Sequence, residues 1–389
     1  MKKAYLFGGM VLSVVLFGLV LLLAQPASTP KPSPVTTSDS EAADEDVSTP
    51  TSTTTPTTTL PTTATGEPVI YVSIVSHNED YLSGQYPNFS TDQAEFERQR
   101  EGVAMFAAML TEHGAKYDFQ TEWNFLLGMQ KYDKGTASTN GKNLIAYLSE
   151  DLGVSVDPHS HEKLGYNYAD VAYLISTFGV EPSGVVGGLI AAPPEDSKLE
   201  YLWNSIEANK YNYTWDPVVG WGGGTGLHIN ETSLWTSGVW QPKDNEHYQE
   251  HDPNAALPVI GHYNSDWSGL DSLLQKQAAG ELEAGEIYTV TIMNNQTLMT
   301  NATTDTFEKR LDTYNDETAA GRIVWATLPE VYNAWVTIYN KEPNIFLWEG
   351  TDTGSTTGFQ KNTGGTGGSC GNGICELFER KKGLCTEDC

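Results

Sequence analysis

Positive charge is scarce in this 389-residue chain, in which 22 Lys and Arg stand against 50 Asp and Glu for a formal charge of −28. A nucleic-acid binder needs a basic surface to displace counterions, so that partner class is excluded. Docking on anionic lipid through basic patches is excluded for the same reason. Charge of either sign is sparse at 19% of residues, so the acidic balance comes from missing Lys and Arg and not from an acidic tail. Cysteine is absent before Cys370, and the main body therefore holds no disulfide. No G-x-G-x-x-G or Walker sequence follows a strand. Gly222-Gly223-Gly224 lacks the helix and lysine that phosphate binding requires, which disfavours a nucleotide. Aromatic residues are plentiful, with 10 Trp and 19 Tyr. They suit a large folded core and ligand-stacking surfaces, and they do not suit a disordered chain.

The two ends speak of export. After Met1-Lys2-Lys3, an uncharged and mostly apolar run extends from Ala4 to Ala24, long enough at ~1.5 Å per residue to cross a bilayer. It reads as either an uncleaved anchor or a signal peptide within 1–25, with the remainder exported in both cases. Residues 26–66 are dominated by Thr, Ser, Pro and Ala and predict a disordered, extended spacer. Asn88, Asn212, Asn230, Asn295 and Asn301 begin Asn-X-Ser/Thr sequons, which an exported protein can use. A Gly/Thr linker covers 351–369. Residues 370–389 then carry Cys370, Cys375, Cys385 and Cys389. Their spacing is not that of a zinc ribbon, and in an oxidising compartment they predict a small module with two disulfides.

Residues 67–350 form the folded domain. Buried-strand patterns begin near Val69, Tyr117, Val154 and Gly184. Helical patterns separate them, the first from a Ser90/Gln93 capping box to Gly114. This 30–48-residue spacing of strand starts predicts α/β architecture, a distorted (β/α) barrel in preference to a doubly wound open sheet. Beyond it, Glu195–Ala208 reads as helix, 215–250 as long loops, Leu257–Tyr263 and Ile287–Met293 as strands, and Phe307–Ala319 and Val331–Tyr339 as helices.

Two segments follow predicted strands: Ser76-His77-Asn78-Glu79-Asp80 and Asp157-Pro158-His159-Ser160-His161-Glu162. Strand C-termini hold the active site in βα architectures. On extended backbone His77 and Glu79 share a face, as do Asp157, His159 and His161. Imidazoles and carboxylates converging in this way predict a divalent metal site, Zn²⁺ above others, with open positions for water and substrate. Water on such a metal can ionise near pH ~7 and act as a nucleophile. His113, at a helix end, reads as structural. His228, His247, His251 and His262 lie in or near loops. Trp221, Trp235, Trp240 and Trp267 are candidates either for stacking sugar or for packing the core.

The run VIYVSIVSHNE, the helix ending LTEHGAKYDFQTEW and the segment GVSVDPHSHEKLGYNYADVAYLI resemble polysaccharide deacetylases of the NodB-homology type. The resemblance spans about residues 68–190. It implies the β/α barrel of the glycoside hydrolase/deacetylase superfamily, a divalent metal, a carbohydrate polymer as substrate and hydrolysis of its acetyl groups; glycoside cleavage on the same barrel and a non-catalytic surface-binding role on the old scaffold stay open beside it. By position it implies Glu79 as metal carboxylate and His159-Ser160 as the start of the histidine motif. The family's T-F-D-D segment is replaced by Ser76-His77-Asn78-Glu79. Lys163 stands where the second histidine would be, which leaves His161 for that role. His77 and Asp157 then become the fourth ligand or the acid/base pair. The last residues resemble the CGNGICE-type modules of prokaryotic surface proteins.

Overall fold

A computed structural model describes residues 67–78, 87–162, 164–189, 201–222, 234–244, 247–261, 267–294 and 299–349. The N-terminal apolar segment, the Thr/Pro spacer and the cysteine-rich tail lie outside them. Among the described residues no helix is long and apolar enough to cross a membrane.

Strand β1 (Val69–Asn78) is buried along its whole length, as a strand covered on both faces must be. Its side chains alternate between two cores. Ile70, Val72 and Ile74 face one, whereas Val69, Tyr71 and Val75 face the other. The first core is filled by helices, chiefly α1 (Gln93–Glu112), α2 (Trp123–Tyr132), α3 (Leu144–Ala146) with the π-turn that continues it, and α4 (Tyr168–Ser176). Helix α1 places Phe96, Val103, Phe106, Ala107 and Leu110 there, all fully buried, as its spacing predicts. Its cap differs from the predicted one: Asp92, not Ser90, accepts from the Glu95 amide. The Ser90 hydroxyl instead donates to Asn88, so the box pattern lies two residues early.

All main pairings of β1 are parallel. It pairs with β2 (Tyr117–Thr121) over Ile74–Asn78, with β11 (Ile287–Met293) over Val69–Val75, and with β12 (Ile323–Trp325) over Ile70–Val72. Strand β3 (Ser155–Pro158) lies beside β2. A second sheet runs β4 (Val185–Leu189), β7 (Val219–Gly222), β10 (Val259–Ile260) and β9 (Val239–Trp240), parallel except for its last pair. The two sheets meet twice. At one seam His159, just past β3, bridges Gly187 of β4. At the other, Thr289 of β11 donates from its hydroxyl to Gly261 O at 2.7 Å and accepts from the Gly238 amide at 2.8 Å. Strand pairing and seams therefore make one circuit around the second core, to which Val185, Val219, Trp221, Val239 and Ile260 contribute.

The second half of the chain departs from the sequence reading. The span 215–250 holds β7, β8 (Leu234–Ser237) and β9 in addition to loops. Ile206–Glu207 is not helix but β5, paired with β6 (Thr214–Trp215). The last strand, β13 (Phe346–Glu349), pairs with β8. Helices α5 (Trp267–Ala278), α6 (Asn301–Asp312), α7 (Asn315–Ala319) and α8 (Leu328–Thr337) complete the described fold. The single helix read over 307–319 is two, α6 beginning at a Thr300/Thr303 capping box and the chain re-capping at Tyr314.

Candidate metal centre

The register of the three strands stacks their inward side chains in layers. His77, Gln120 and Asp157 are opposite one another on β1, β2 and β3. Two residues further along come Glu122 and His159, with His159 also opposite Gly187 of β4. A two-residue step along a strand is roughly 6.6 Å. Glu122 and His159 thus form the upper layer at the strand C-termini, and Asp157 belongs to the layer below.

The backbone holds the upper layer from two sides. The His159 amide donates to Thr121 O at 3.0 Å, prolonging the β2–β3 ladder past Pro158. Its ring Nδ1 lies 2.8 Å from Gly187 O. A carbonyl only accepts, so Nδ1 carries the hydrogen and, in the neutral ring, Nε2 keeps its lone pair. That Nε2 lies 3.7 Å from Glu122 Oε1. Glu122 occupies the N-cap position of α2, yet its side chain makes no cap hydrogen bond. It turns instead to His161, whose Nδ1 contacts the same Oε1. The chain leaves the strand after Pro158 and turns sharply at Glu162, whose φ is +56°. His161, just before this turn, reaches Glu122 from the more open side: its side chain keeps 27% of its accessible surface while those of Glu122 and His159 keep 0% and 3%.

One potential donor atom from each of Glu122, His159 and His161 lies within 4.8 Å of the others, the only such group of three among the described residues. Two imidazoles and a carboxylate are a zinc-type donor set, and three protein ligands leave room for a water. Donors on one tetrahedral zinc ion at ~2.1 Å bonds sit ~3.4 Å apart. From the 4.8 Å bound the widest pair therefore has to close by at most about 1.4 Å, a rotamer-scale shift open to the partly exposed His161. The residues fit a divalent cation.

The residues singled out in the sequence fall in different places. His159 and His161 meet at the centre. His77 lies against it: its ring stacks on that of His159 with centroids 4.1 Å apart and planes at 26°. The His77 ring also meets that of Trp221 in an edge-to-face arrangement, with centroids 5.6 Å apart. Glu79 lies outside the described residues. Asp157 is not among the donors. Its carboxylate is fully buried one layer down and accepts from the Ser155 and Ser183 hydroxyls at 2.6 Å each and from the Gln120 amide at 3.3 Å. Burial pushes its pKa up to about 6 despite those three donors. Burial also raises Asp118, and the charge of Asp157 adds to the effect.

Glu122 is the member that sequence reading missed. The signal was present, since the strand-end rule applied to β1 and β3 picks out Gln120-Thr121-Glu122 when applied to β2. Other candidates drop away. Trp221, Trp240 and Trp267 are buried in the cores and present no face to a sugar. Trp235 packs edge-on against Trp348. His113 bonds the Met109 carbonyl at the end of α1, His247 bonds Asp244, and His251 accepts from the Gln241 amide. His228 and His262 lie outside the described residues.

No family model matches this sequence, and no curated protein matches it. Among solved structures, a candidate glycoside hydrolase/deacetylase from Parabacteroides distasonis aligns at 14% identity and a TM-score of 0.41, over 69% of this chain and 71% of its own. PuuE allantoinase aligns at 9% identity and a TM-score of 0.40, over 68% of this chain and 90% of its own. Similarity this faint carries no assignment.

Proposed function

We propose that this chain is a divalent-metal-dependent hydrolase, with Glu122, His159 and His161 as the metal ligands and an acetyl group on an extracellular carbohydrate polymer as the group removed. The observation that carries the reading is the convergence of the three donors within 4.8 Å at the C-terminal ends of parallel strands. The acetyl-carbohydrate part rests on the deacetylase-like sequence of residues 68–190 within a β/α barrel. Bound there, Zn²⁺ would supply hydroxide at neutral pH and polarise the acyl oxygen.

The chain's own residues have separable tasks. The Gly187 carbonyl orients His159 so that Nε2 is the ligating atom, a partner that a metal-bound imidazole commonly has. Glu122 supplies the one carboxylate among the three donors. His77, stacked on His159, is the side chain placed to take up or give a proton beside the centre. His161 stands at the open side, where substrate enters. Asp157, sequestered with its three donors, holds the layer beneath and does not touch substrate.

The same reading places the enzyme outside the cell, tethered or released according to whether the segment before residue 26 is cut. Acetate release from acetylated chitooligosaccharide by the full-length chain with Zn²⁺ tests it. Turnover that disappears in His159→Ala is expected. Turnover unchanged in that variant, or a zinc-loaded chain that releases no acetate from any acetylated glycan, overturns it.

A further inference from the structure

The strand that orients His159 is itself irregular. The pairing of β4 with β7 shifts register between Val186 and Leu189, around Gly187 and Gly188. Gly188 has φ +65°, and a Cβ there would lie 2.7 Å from His159 Nδ1 and 3.0 Å from His77 Cε1. Glycine is thus required where the stacked imidazoles press on the strand. The requirement has a side effect: a peptide between two glycines has no Cβ on either flank to resist turning over.

A turned peptide would present the Gly188 amide N–H to His159 Nδ1 in place of the Gly187 carbonyl. Nδ1 would then have to accept, and the ring hydrogen would move to Nε2. That nitrogen lies 3.7 Å from Glu122 Oε1, so a hydrogen there would point at the carboxylate. An Nε2–H cannot ligate a cation. The orientation of one peptide therefore decides whether His159 is fit to bind metal.

A second donor reaches the same carbonyl: the Tyr168 hydroxyl lies 3.2 Å from Gly187 O. Together with His159 Nδ1 it puts two side-chain donors on that oxygen. Tyr168 is delivered rigidly. It is the first residue of α4, just after the Asn167/Asp170 capping box. It is 2% exposed, and its ring stacks on Trp215 with planes at 13°. We propose that Tyr168 is a positioning residue, which by occupying the Gly187 carbonyl keeps the Gly187–Gly188 peptide facing His159 and so keeps the Nε2 lone pair for the metal. This rests on the metal-centre reading above.

The experiment is Tyr168→Phe in the full-length chain, which keeps the ring and its stack and removes only the hydroxyl. ¹⁵N NMR of the neutral His159 ring reports its tautomer in metal-free protein, and a Zn²⁺ titration reports affinity. The wild type is expected to hold the hydrogen at Nδ1. The variant is expected to shift part of the population to Nε2–H and to bind Zn²⁺ roughly 10–100-fold more weakly. Its melting temperature should stay close to that of the wild type. A folded variant with an unchanged tautomer overturns the role of Tyr168, whether or not zinc binds. A wild type that shows the Nδ1–H form and takes up no Zn²⁺ overturns the metal reading instead, while the tautomer comparison still decides the case for Tyr168.

Discussion

At the scale of the residue, the carboxylates of Glu122 and Asp157 differ in what surrounds them. Glu122 faces two imidazoles, whereas Asp157 faces two hydroxyls and an amide, and burial raises its pKa from 3.8 to about 6. The consequence for stability has a definite sign. Between those values the folded chain holds a proton that the unfolded chain has released, so stability falls as pH rises through this window. Above about pH 6 the loss is complete, and a rise in pKa from 3.8 to about 6 is worth about 3 kcal/mol. Asp157→Asn removes the penalty, because the amide oxygen still accepts from Ser155 and Ser183 and Gln120 can turn its own oxygen toward the new NH₂. Denaturant melts of both proteins should coincide near pH 4 and separate by up to about 3 kcal/mol in favour of the variant at pH 7. A variant no more stable than the wild type at pH 7 would mean that the three donors fully compensate the charge. Sequence made His159 and His161 legible through their spacing after a strand. It could not separate them from Asp157, since alternation gives a face but not a layer, and the layer follows from the strand register. Glu122 was obscured because a lone acid ending a five-residue strand looks like any helix N-cap.

At the scale of the element, β4 is the strand on which the centre depends. Gly188→Ala forces a side chain into both imidazole rings as well as into a left-handed backbone. The left-handed conformation alone costs on the order of 1 kcal/mol. Gly179 provides the control, since its φ is +86° and nothing lies within 4 Å of a Cβ built there. Gly179→Ala should lose stability and keep zinc affinity, whereas Gly188→Ala should lose at least tenfold in affinity while its circular dichroism still shows a folded chain. Equal zinc affinity in the two variants would mean that His159 is not set by β4. Elements were legible where they are long. The 10-residue β1, the 20-residue α1 and the 7-residue β11 carry enough repeats to show their period. Strands β5, β6, β9 and β10 have two residues each. Two residues have no period, and only partners elsewhere in the chain make them strands.

At the scale of the whole molecule, the parallel sheet and the second sheet are joined beside the candidate metal centre, where His159 bridges Gly187. The proposed ligands thus come from the segments that follow β2 and β3, while β4 supplies their support. A bound cation would tie the two sheets across that seam and should stabilise the fold as a unit. Zinc at 100 times its Kd contributes about 2.7 kcal/mol, a rise of several degrees in Tm that a chelator reverses. The alternation of strands and helices made this architecture legible as far as β4. The closing half was not, because its short strands pair across long sequence separations. Whether Glu122, His159 and His161 hold one cation is decided by zinc titration of the full-length wild type beside Glu122→Gln. One Zn²⁺ per wild-type chain is expected, with an affinity at least roughly 100-fold weaker in the variant, in line with losing a ligand outright. No zinc on the wild type, or equal affinity in the two proteins, would contradict it.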